Sequence, residues 1–349
     1  MPASKGYGAL SATTPLAPFA FSRRTPGATE IAIETLYCGV CHSDLHMARN
    51  EWGQSTYPMV PGHEIVGRVS TVGSAVTRFK AGDIAAVGVI VDSCRACPPC
   101  NKGEEQYCDH GATLTYADTD RVDGTTTMGG YSNNYVVDER FAHTVPANLD
   151  LAGVAPLLCA GITTYSPLRH WKVGPGKKVG IIGLGGLGHM ALQFAHAFGA
   201  YTVQITTSLK KKQDALALGA DEVILSTDPE QMKAHARSFD FLLDAVSAPH
   251  ALEPYLELLK QDCTLTLVGL PVPPPQVNIF SLISKRVSVA GSMIGGMPET
   301  QEMLDFCGQH NITAKVETIP VNKVNEAFER MLRQDVKYRF VLDMSTLEA

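Results

Sequence analysis

The chain of 349 residues contains no apolar run near the ~18 residues that a membrane-spanning helix needs, so a helical membrane protein is not expected. It has no extended basic run either. Lys and Arg number 29 against 35 Asp and Glu, and the net charge is -6, the wrong balance for a phosphate-backbone surface. Nucleic acid is therefore not an expected partner. Met1-Pro2-Ala3-Ser4-Lys5 lacks the apolar core of a secretory signal, so a cytoplasmic protein is expected. There is no internal repeat and no low-complexity tail. Nine cysteines in such a chain argue against a disulfide framework and for metal ligation. With 45% hydrophobic residues, the length can support about two domains.

Metal donors are concentrated in three places. Cys41-His42-Ser43-Asp44-Leu45-His46 holds a thiol, a hydroxyl, a carboxylate and two imidazoles. Pro61-Gly62-His63-Glu64 follows shortly, and Cys159 lies far along the chain. Zinc prefers cysteine and histidine, and a catalytic zinc takes three protein ligands so that a fourth position stays open. The other cluster is Cys94, Cys97, Cys100 and Cys108, spaced C-x2-C-x2-C-x7-C. Four thiolates at that spacing suit a closed structural zinc site. An iron–sulfur cluster competes, but the bacterial run has a shorter last gap. A nucleic-acid-binding zinc ribbon also competes. Glu104, Glu105 and Asp109 against Arg95 and Lys102 give that segment the wrong charge.

The first 150 residues read as short strands broken by glycine and proline: Glu30 to Tyr37, Ile65 to Val72, Asp83 to Val89, Tyr135 to Val137 and Phe141 to Val145. That spacing predicts a barrel-like β domain, with Cys41 and His63 between strands. Residues 151 to 170 read as helix. A strand from Lys178 to Ile182 then runs into Gly183-Leu184-Gly185-Gly186-Leu187-Gly188 and an apolar helix to about Phe198. This is G-x-G-x-x-G between strand and helix, the setting in which a helix N-terminus receives a pyrophosphate. Strands at Tyr201 to Thr206, Glu222 to Leu225, Phe239 to Asp244, Thr264 to Gly269 and Val287 to Gly291 complete a doubly wound parallel sheet. Pro271 to Pro275 reads as a loop. Beyond Gly291 the pattern changes to helix, strand, helix and closing strand, which should rejoin the first domain.

The second strand of that sheet bears on the cofactor. A protein selecting NAD carries Asp or Glu there for the ribose 2′-hydroxyl. This chain has Thr206-Thr207-Ser208, then Lys210, Lys211 and Lys212, so hydroxyls and ammonium groups are available for a 2′-phosphate. Three lysines at a helix start oppose the helix dipole, which favours an anionic partner. The expectation is NADP(H) over NAD(H).

Together, Cys-Gly-Val-Cys-His-Ser-Asp-Leu-His at 38 to 46, Pro-Gly-His-Glu at 61 to 64, the four-cysteine lobe, Gly-Leu-Gly-Gly-Leu-Gly, and Gly-Ser-Met-Ile-Gly-Gly at 291 to 296 resemble the zinc-dependent medium-chain alcohol dehydrogenases. The subgroup resembled is that of cinnamyl alcohol dehydrogenases and NADP-dependent aldehyde reductases. Two cysteines and one histidine, as at Cys41, His63 and Cys159, resemble the catalytic zinc set of alcohol dehydrogenases.

The resemblance implies an α/β protein with a GroES-like β-barrel catalytic domain, 1–152 and 292–349, carrying a structural-zinc lobe at 94–108, around a Rossmann cofactor domain, 153–291. It implies a homodimer with two zinc ions per chain. Catalytic zinc would sit on Cys41, His63 and Cys159, with Glu64 beside it, and structural zinc on Cys94, Cys97, Cys100 and Cys108. Ser43 and His46 match proton-relay positions, and Asp44 matches the carboxylate supporting the zinc-bound histidine. NADP(H) contacts map to Thr163, Gly183 to Gly188 (including Leu184, Gly185, Gly186 and Leu187), Thr206, Thr207, Ser208, Lys210, Lys211, Gly269, Ser292, Met293 and Ile294. His42 stands where some members carry a basic residue near the pyrophosphate. Trp52 and Leu114 map to the substrate pocket, and some plant enzymes carry tryptophan where Leu114 stands.

The implied chemistry is reversible hydride transfer between NADP(H) and primary alcohols or aldehydes, aromatic, cinnamyl-type or medium-chain aliphatic. A polyol dehydrogenase and a non-catalytic NADPH- or zinc-binding relative are the alternatives. Cys38, Cys263 and Cys307 read as ordinary buried thiols, and His189 and His196 as packing or surface residues.

Overall fold

Strand Glu30–Val40 carries the first half of the fold, in a computed structural model that describes residues 3–347. Three strands pair with it: Ile65–Val72, Asn134–Asp138 and Arg339–Asp343, all antiparallel. The seven-stranded sheet runs Val316–Pro320, Arg339–Asp343, Glu30–Val40, Ile65–Val72, Ile84–Val87, His143–Thr144, with Asn134–Asp138 also on Glu30–Val40. Ile31 and Ile33 are fully buried, and so is Cys38. Strict alternation cannot bury both odd and even positions on one face. A register shift between Thr35 and Tyr37 supplies the extra residue that switches the parity. The strand therefore delivers Val40 to the core and Cys41 to the chain reversal that follows.

Around this sheet the sequence reading needs several corrections. Ala3–Gly8 and Ala17–Ser22 form an antiparallel hairpin that the alternation did not reveal. The second of these strands is largely exposed, so it has little apolar pattern to read. Phe141 to Val145 is not one strand. Glu139–Phe141 is a 3-10 turn capped by Asp138, and only His143–Thr144 pairs. The helical stretch 151 to 170 is broken at Cys159: Leu151–Val154 and the 3-10 turn Ala155–Leu158 precede it, and helix Ala160–His170 follows.

The chain divides into two compact units. One runs to Cys159 and resumes at Gly295; the other spans Ala160–Ile294. In the second unit six strands lie in the order Glu222–Leu225, Tyr201–Thr206, Lys178–Ile182, Phe239–Asp244, Leu259–Leu267, Ser288–Gly291, every neighbouring pair parallel. The central strands are covered on both faces, so Ile181, Ile182, Val203, Ile205, Leu242 and Leu243 are all buried. Strand order reverses between Lys178–Ile182 and Phe239–Asp244. The carboxyl ends at such a reversal are where open parallel sheets bind ligands. Among the described residues no single helix is long and apolar enough to cross a membrane.

Candidate active site and metal centres

Cys41 is the N-cap of helix His42–Ala48, in extended conformation directly after the hub strand. Asp44, three residues on, turns its carboxylate back to accept the Cys41 N–H at 2.9 Å. The same carboxylate accepts from Gly62 N–H at 3.1 Å and from Tyr131 O–H at 2.9 Å, and lies 2.9 Å from His63 Nδ1. Asp44 is fully buried, and these partners satisfy its charge. With Nδ1 donating to Asp44, His63 presents Nε2 as a lone pair, the arrangement a metal-bound imidazole requires. Burial opposes charge on His63, yet the Asp44 carboxylate overrides it and raises the metal-free imidazole well above its ordinary value, so a metal would take Nε2 in exchange for a proton.

The donor atoms of Cys41, His63, Glu64 and Cys159 all lie within 4.8 Å of one another. The two sulfurs are 3.9 Å apart. Two ligands on a tetrahedral zinc at 2.3 Å would be separated by about 3.8 Å, so the spacing suits one shared ion. The hydrogen bond between the sulfurs pushes the Cys41 thiol well below its ordinary range, helped by Arg339 and His63, and Cys159 well above. The break at Cys159 interrupts the helical run where this donor is needed.

Glu64 is fully buried. Its Oε1 meets Arg339 Nη2 and lies 3.9 Å from His63 Nε2, while Oε2 has no hydrogen-bond partner. Burial raises the Glu64 carboxyl to about 7 against the pull of Arg339. Burial lowers Arg339, but the Glu64 carboxylate and the Cys41 thiolate outweigh that and lift it above its ordinary value. Arg339, Tyr131 and Tyr116, whose ring stacks on His63 at 5.9 Å, escaped the sequence reading. Only Arg339 left a signal, as a charged residue opening the apolar strand Arg339–Asp343.

Ser43 Oγ is 3.7 Å from Cys41 Sγ. His46 Nδ1 meets Glu51 Oε2, and its ring lies 5.1 Å from that of Trp52. Leu114 is 42% exposed, at the end of the short pairing of Ile90–Asp92 with Thr113–Leu114.

That pairing brackets the four-cysteine lobe. Donor atoms of Cys94, Cys97, Cys100 and Cys108 again lie within 4.8 Å of one another. Sulfur separations of 3.4 Å for Cys97–Cys100 and 3.9 Å for Cys94–Cys100 and Cys97–Cys108 suit one tetrahedral ion. Backbone N–H groups point at the sulfurs: Cys97 N is 3.3 Å from Cys94 Sγ, and Asp109 N is 3.4 Å from Cys97 Sγ. Such donors favour thiolates, and backbone bonds from Ala96 and Cys97 bring Cys94 down to about 6. Cys38 is buried behind the first cluster, beside Glu64 and Asp44, without joining its donors, and Cys307 is buried elsewhere, whereas Cys263 is only half-buried, a correction to the reading of all three as buried thiols.

In the second unit, Gly183 has φ +89°, where only glycine is unstrained. A Cβ on Gly188 would stand 2.0 Å from Gly183 O, so the turn closes only without one. Lys211 Nζ reaches back to Leu184 O at 3.3 Å, which brings the lysine cluster to the glycine turn. Thr206 Oγ1 and Ser208 N are 3.3 Å apart. Thr163 is buried in its helix. Gly269 packs against the Val246 carbonyl, Ser292 N donates to Leu267 O, and Met293 is 51% exposed. His189 is buried with Nδ1 near Gly185 O, and His196 is exposed.

Residues 27–147 match the model of the alcohol dehydrogenase GroES-like domain, and 186–309 that of the zinc-binding dehydrogenase. The chain is 56% identical to aldehyde reductase YahK of Escherichia coli over 345 residues, 98% of this chain and 99% of the relative. The chain is a zinc-dependent medium-chain alcohol dehydrogenase. Among solved structures, this dehydrogenase superposes on a cinnamyl alcohol dehydrogenase from Sorghum bicolor with a TM-score of 0.96 at 45% identity, covering 100% of both chains. A cinnamyl alcohol dehydrogenase from Helicobacter pylori complexed with NADP(H) gives 0.93 at 42%, covering 99% of both. The dehydrogenase is thus an oxidoreductase of the cinnamyl alcohol dehydrogenase and aldehyde reductase subgroup, with zinc and NADP(H) as cofactors.

Proposed function

We propose that the enzyme reduces aromatic, cinnamyl-type or medium-chain aliphatic aldehydes with NADPH, and reverses that reaction on the primary alcohols, at a centre built from Cys41, His63 and Cys159. The observation that carries this reading is the convergence of those donors, with His63 oriented by a buried Asp44 and an unpartnered Glu64 oxygen beside them. A zinc ion held there would supply a Lewis acid for the carbonyl oxygen, and a bound nicotinamide would supply the hydride. The protein's own residues do the rest. Cys41 and Cys159 would hold the ion as thiolates, the proton between their sulfurs leaving as it binds, and Asp44 fixes the His63 tautomer. Ser43 Oγ accepts and passes the proton. His46, held by Glu51 and a quarter exposed, connects it to solvent. Trp52, packed on His46, forms an apolar wall for the substrate with Leu114. Cys94, Cys97, Cys100 and Cys108 hold the structural ion.

The cofactor contacts are assigned to Thr163, the 183–188 turn, Thr206 to Ser208, Lys210, Lys211, Gly269 and Ser292 to Ile294. Cinnamaldehyde, benzaldehyde and hexanal assayed with NADPH test the reading against mannitol oxidation. Reduction of none of the three aldehydes would overturn it. Thr206→Asp puts a carboxylate where the 2′-phosphate is bound. Losing one charge-assisted contact and gaining a repulsion should move the ratio of kcat/KM for NADPH over NADH by roughly a hundredfold. A wild-type ratio below one would refute the NADPH assignment.

We also propose a homodimer in the cytoplasm. Strand Ser288–Gly291 is an open sheet edge, and Ile279, Phe280 and Ile283 beside it are 63–72% exposed. An unpaired edge next to an apolar patch is complementary to its own copy about a twofold axis. Phe280→Asp should shift the sedimentation of the enzyme from dimer to monomer. Sedimentation as a monomer without the substitution would refute the assignment. Six of the nine cysteines are assigned to metal and the other three form no disulfide among the described residues, which suits a reducing compartment.

A further inference from the structure

Strand Phe239–Asp244 lies at the reversal of strand order in the parallel sheet, and its last residue is a buried carboxylate, 1% exposed. Asp244 Oδ1 accepts the Val246 N–H at 3.0 Å, which starts a turn over residues 245–250. Oδ2 lies 2.7 Å from His250 Nε2. The other ring nitrogen, Nδ1, lies 2.8 Å from the Ala248 carbonyl oxygen. A neutral imidazole has one donor nitrogen and one acceptor. Here both nitrogens face oxygen, so with Asp244 ionised, satisfying both contacts takes an imidazolium.

Among the described residues two titratable side chains face the ring, Asp244 from the central strand and Tyr255 from helix Glu253–Leu256, whose ring stands edge-on with centroids 5.9 Å apart. Burial raises the Asp244 carboxyl above its ordinary range, so its charge depends on a cationic partner. The turn tied down in this way packs on two glycines assigned to the cofactor. A Cβ on Gly183 would stand 2.7 Å from Val246 Cγ2, and one on Gly269 would stand 2.3 Å from the Val246 carbonyl oxygen. Val246 is thus set against both, and its position is fixed by Asp244 and, through the turn, by His250.

We propose that His250 is a positioning residue for the dinucleotide: donating from both ring nitrogens, it ties the 245–250 turn onto the end of the central strand and fixes the wall beside Gly183 and Gly269. The proposal rests on the cofactor assignment above. It adds a residue that need not touch NADPH, and a protonation state that the glycine motif does not imply.

The test uses the zinc-loaded enzyme. In His250→Ala, NADPH titrated by its fluorescence should bind about tenfold more weakly, the loss of one hydrogen bond to a charged group. Zinc should remain at two per chain, and kcat at saturating NADPH should stay within about twofold. Unchanged NADPH affinity in this variant, with the unsubstituted enzyme binding normally, would overturn the proposal and leave the cofactor assignment standing. Failure of the unsubstituted enzyme to bind NADPH would overturn the assignment itself. Should His250→Ala not fold, nitrogen NMR of the histidine rings in the unsubstituted enzyme decides. Two protonated ring nitrogens are expected for His250, reverting to one in Asp244→Asn. A single neutral tautomer in the unsubstituted enzyme would overturn the proposal.

Discussion

Cys41→Ala should leave a folded protein with about one zinc per chain instead of two, and with aldehyde reduction at least about a thousandfold slower. The magnitude follows from what the substitution removes. Cys41 is one of three proposed ligands, and its sulfur also hydrogen-bonds Cys159. Two remaining donors do not define a zinc site, so the ion should leave with the thiolate. Stabilisation of negative charge at the carbonyl oxygen then disappears, a term worth several kcal/mol. The fold should survive, because the Asp44 network keeps its other members: the Cys41 N–H, Gly62, His63 and Tyr131. The four-cysteine lobe draws its ligands from residues 94 to 108 alone and should keep its ion. Metal analysis together with kcat/KM for benzaldehyde separates the outcomes. Two zincs per chain with activity intact would show that Cys41 is not a ligand.

Why these cysteines were legible before any coordinates is a matter of chemistry at short range. A spacing such as C-x2-C-x2-C announces a metal because few other uses need it, whereas Cys41 and His63, ordinary residues when taken singly, were legible through the motifs around them and the family these resemble. The glycine turn announces a phosphate in the same way, because a backbone with φ +89° at Gly183 and no room for a Cβ at Gly188 excludes other residues. The parallel sheet was legible through the alternation of short strands with helices that follows the glycine turn. What escaped was either weakly patterned or long-range. The Ala17–Ser22 strand is exposed and carries little alternation. The break at Cys159 lies inside a run of buried apolar residues, where period alone cannot register an interruption. Tyr131 reaches Asp44 from 87 residues away and Arg339 reaches Glu64 from 275, so neither contact leaves a local signature.

Arg339→Met should destabilise the enzyme by about 3–5 kcal/mol, the usual cost of stranding one partner of a buried ion pair. Glu64 is fully buried, its Oε2 already lacks a partner, and a Cβ on Gly39 would stand 1.8 Å from it, so the carboxylate has nowhere to move. Two thiolates, Glu64 and Asp44 are balanced to within one charge by a divalent cation and Arg339; without the guanidinium the buried excess doubles. The thermal midpoint should fall, and zinc should become easier to strip with a chelator, because the thiolates also lose a nearby positive charge. Glu64→Gln in the same chain removes the stranded charge and should restore most of the stability, so the double variant should lie closer to the parent than Arg339→Met alone. The cycle distinguishes a charge effect from a packing effect. If Arg339 acted only by filling space, Glu64→Gln would bring no recovery, and the pairing would have no part in holding the metal centre together.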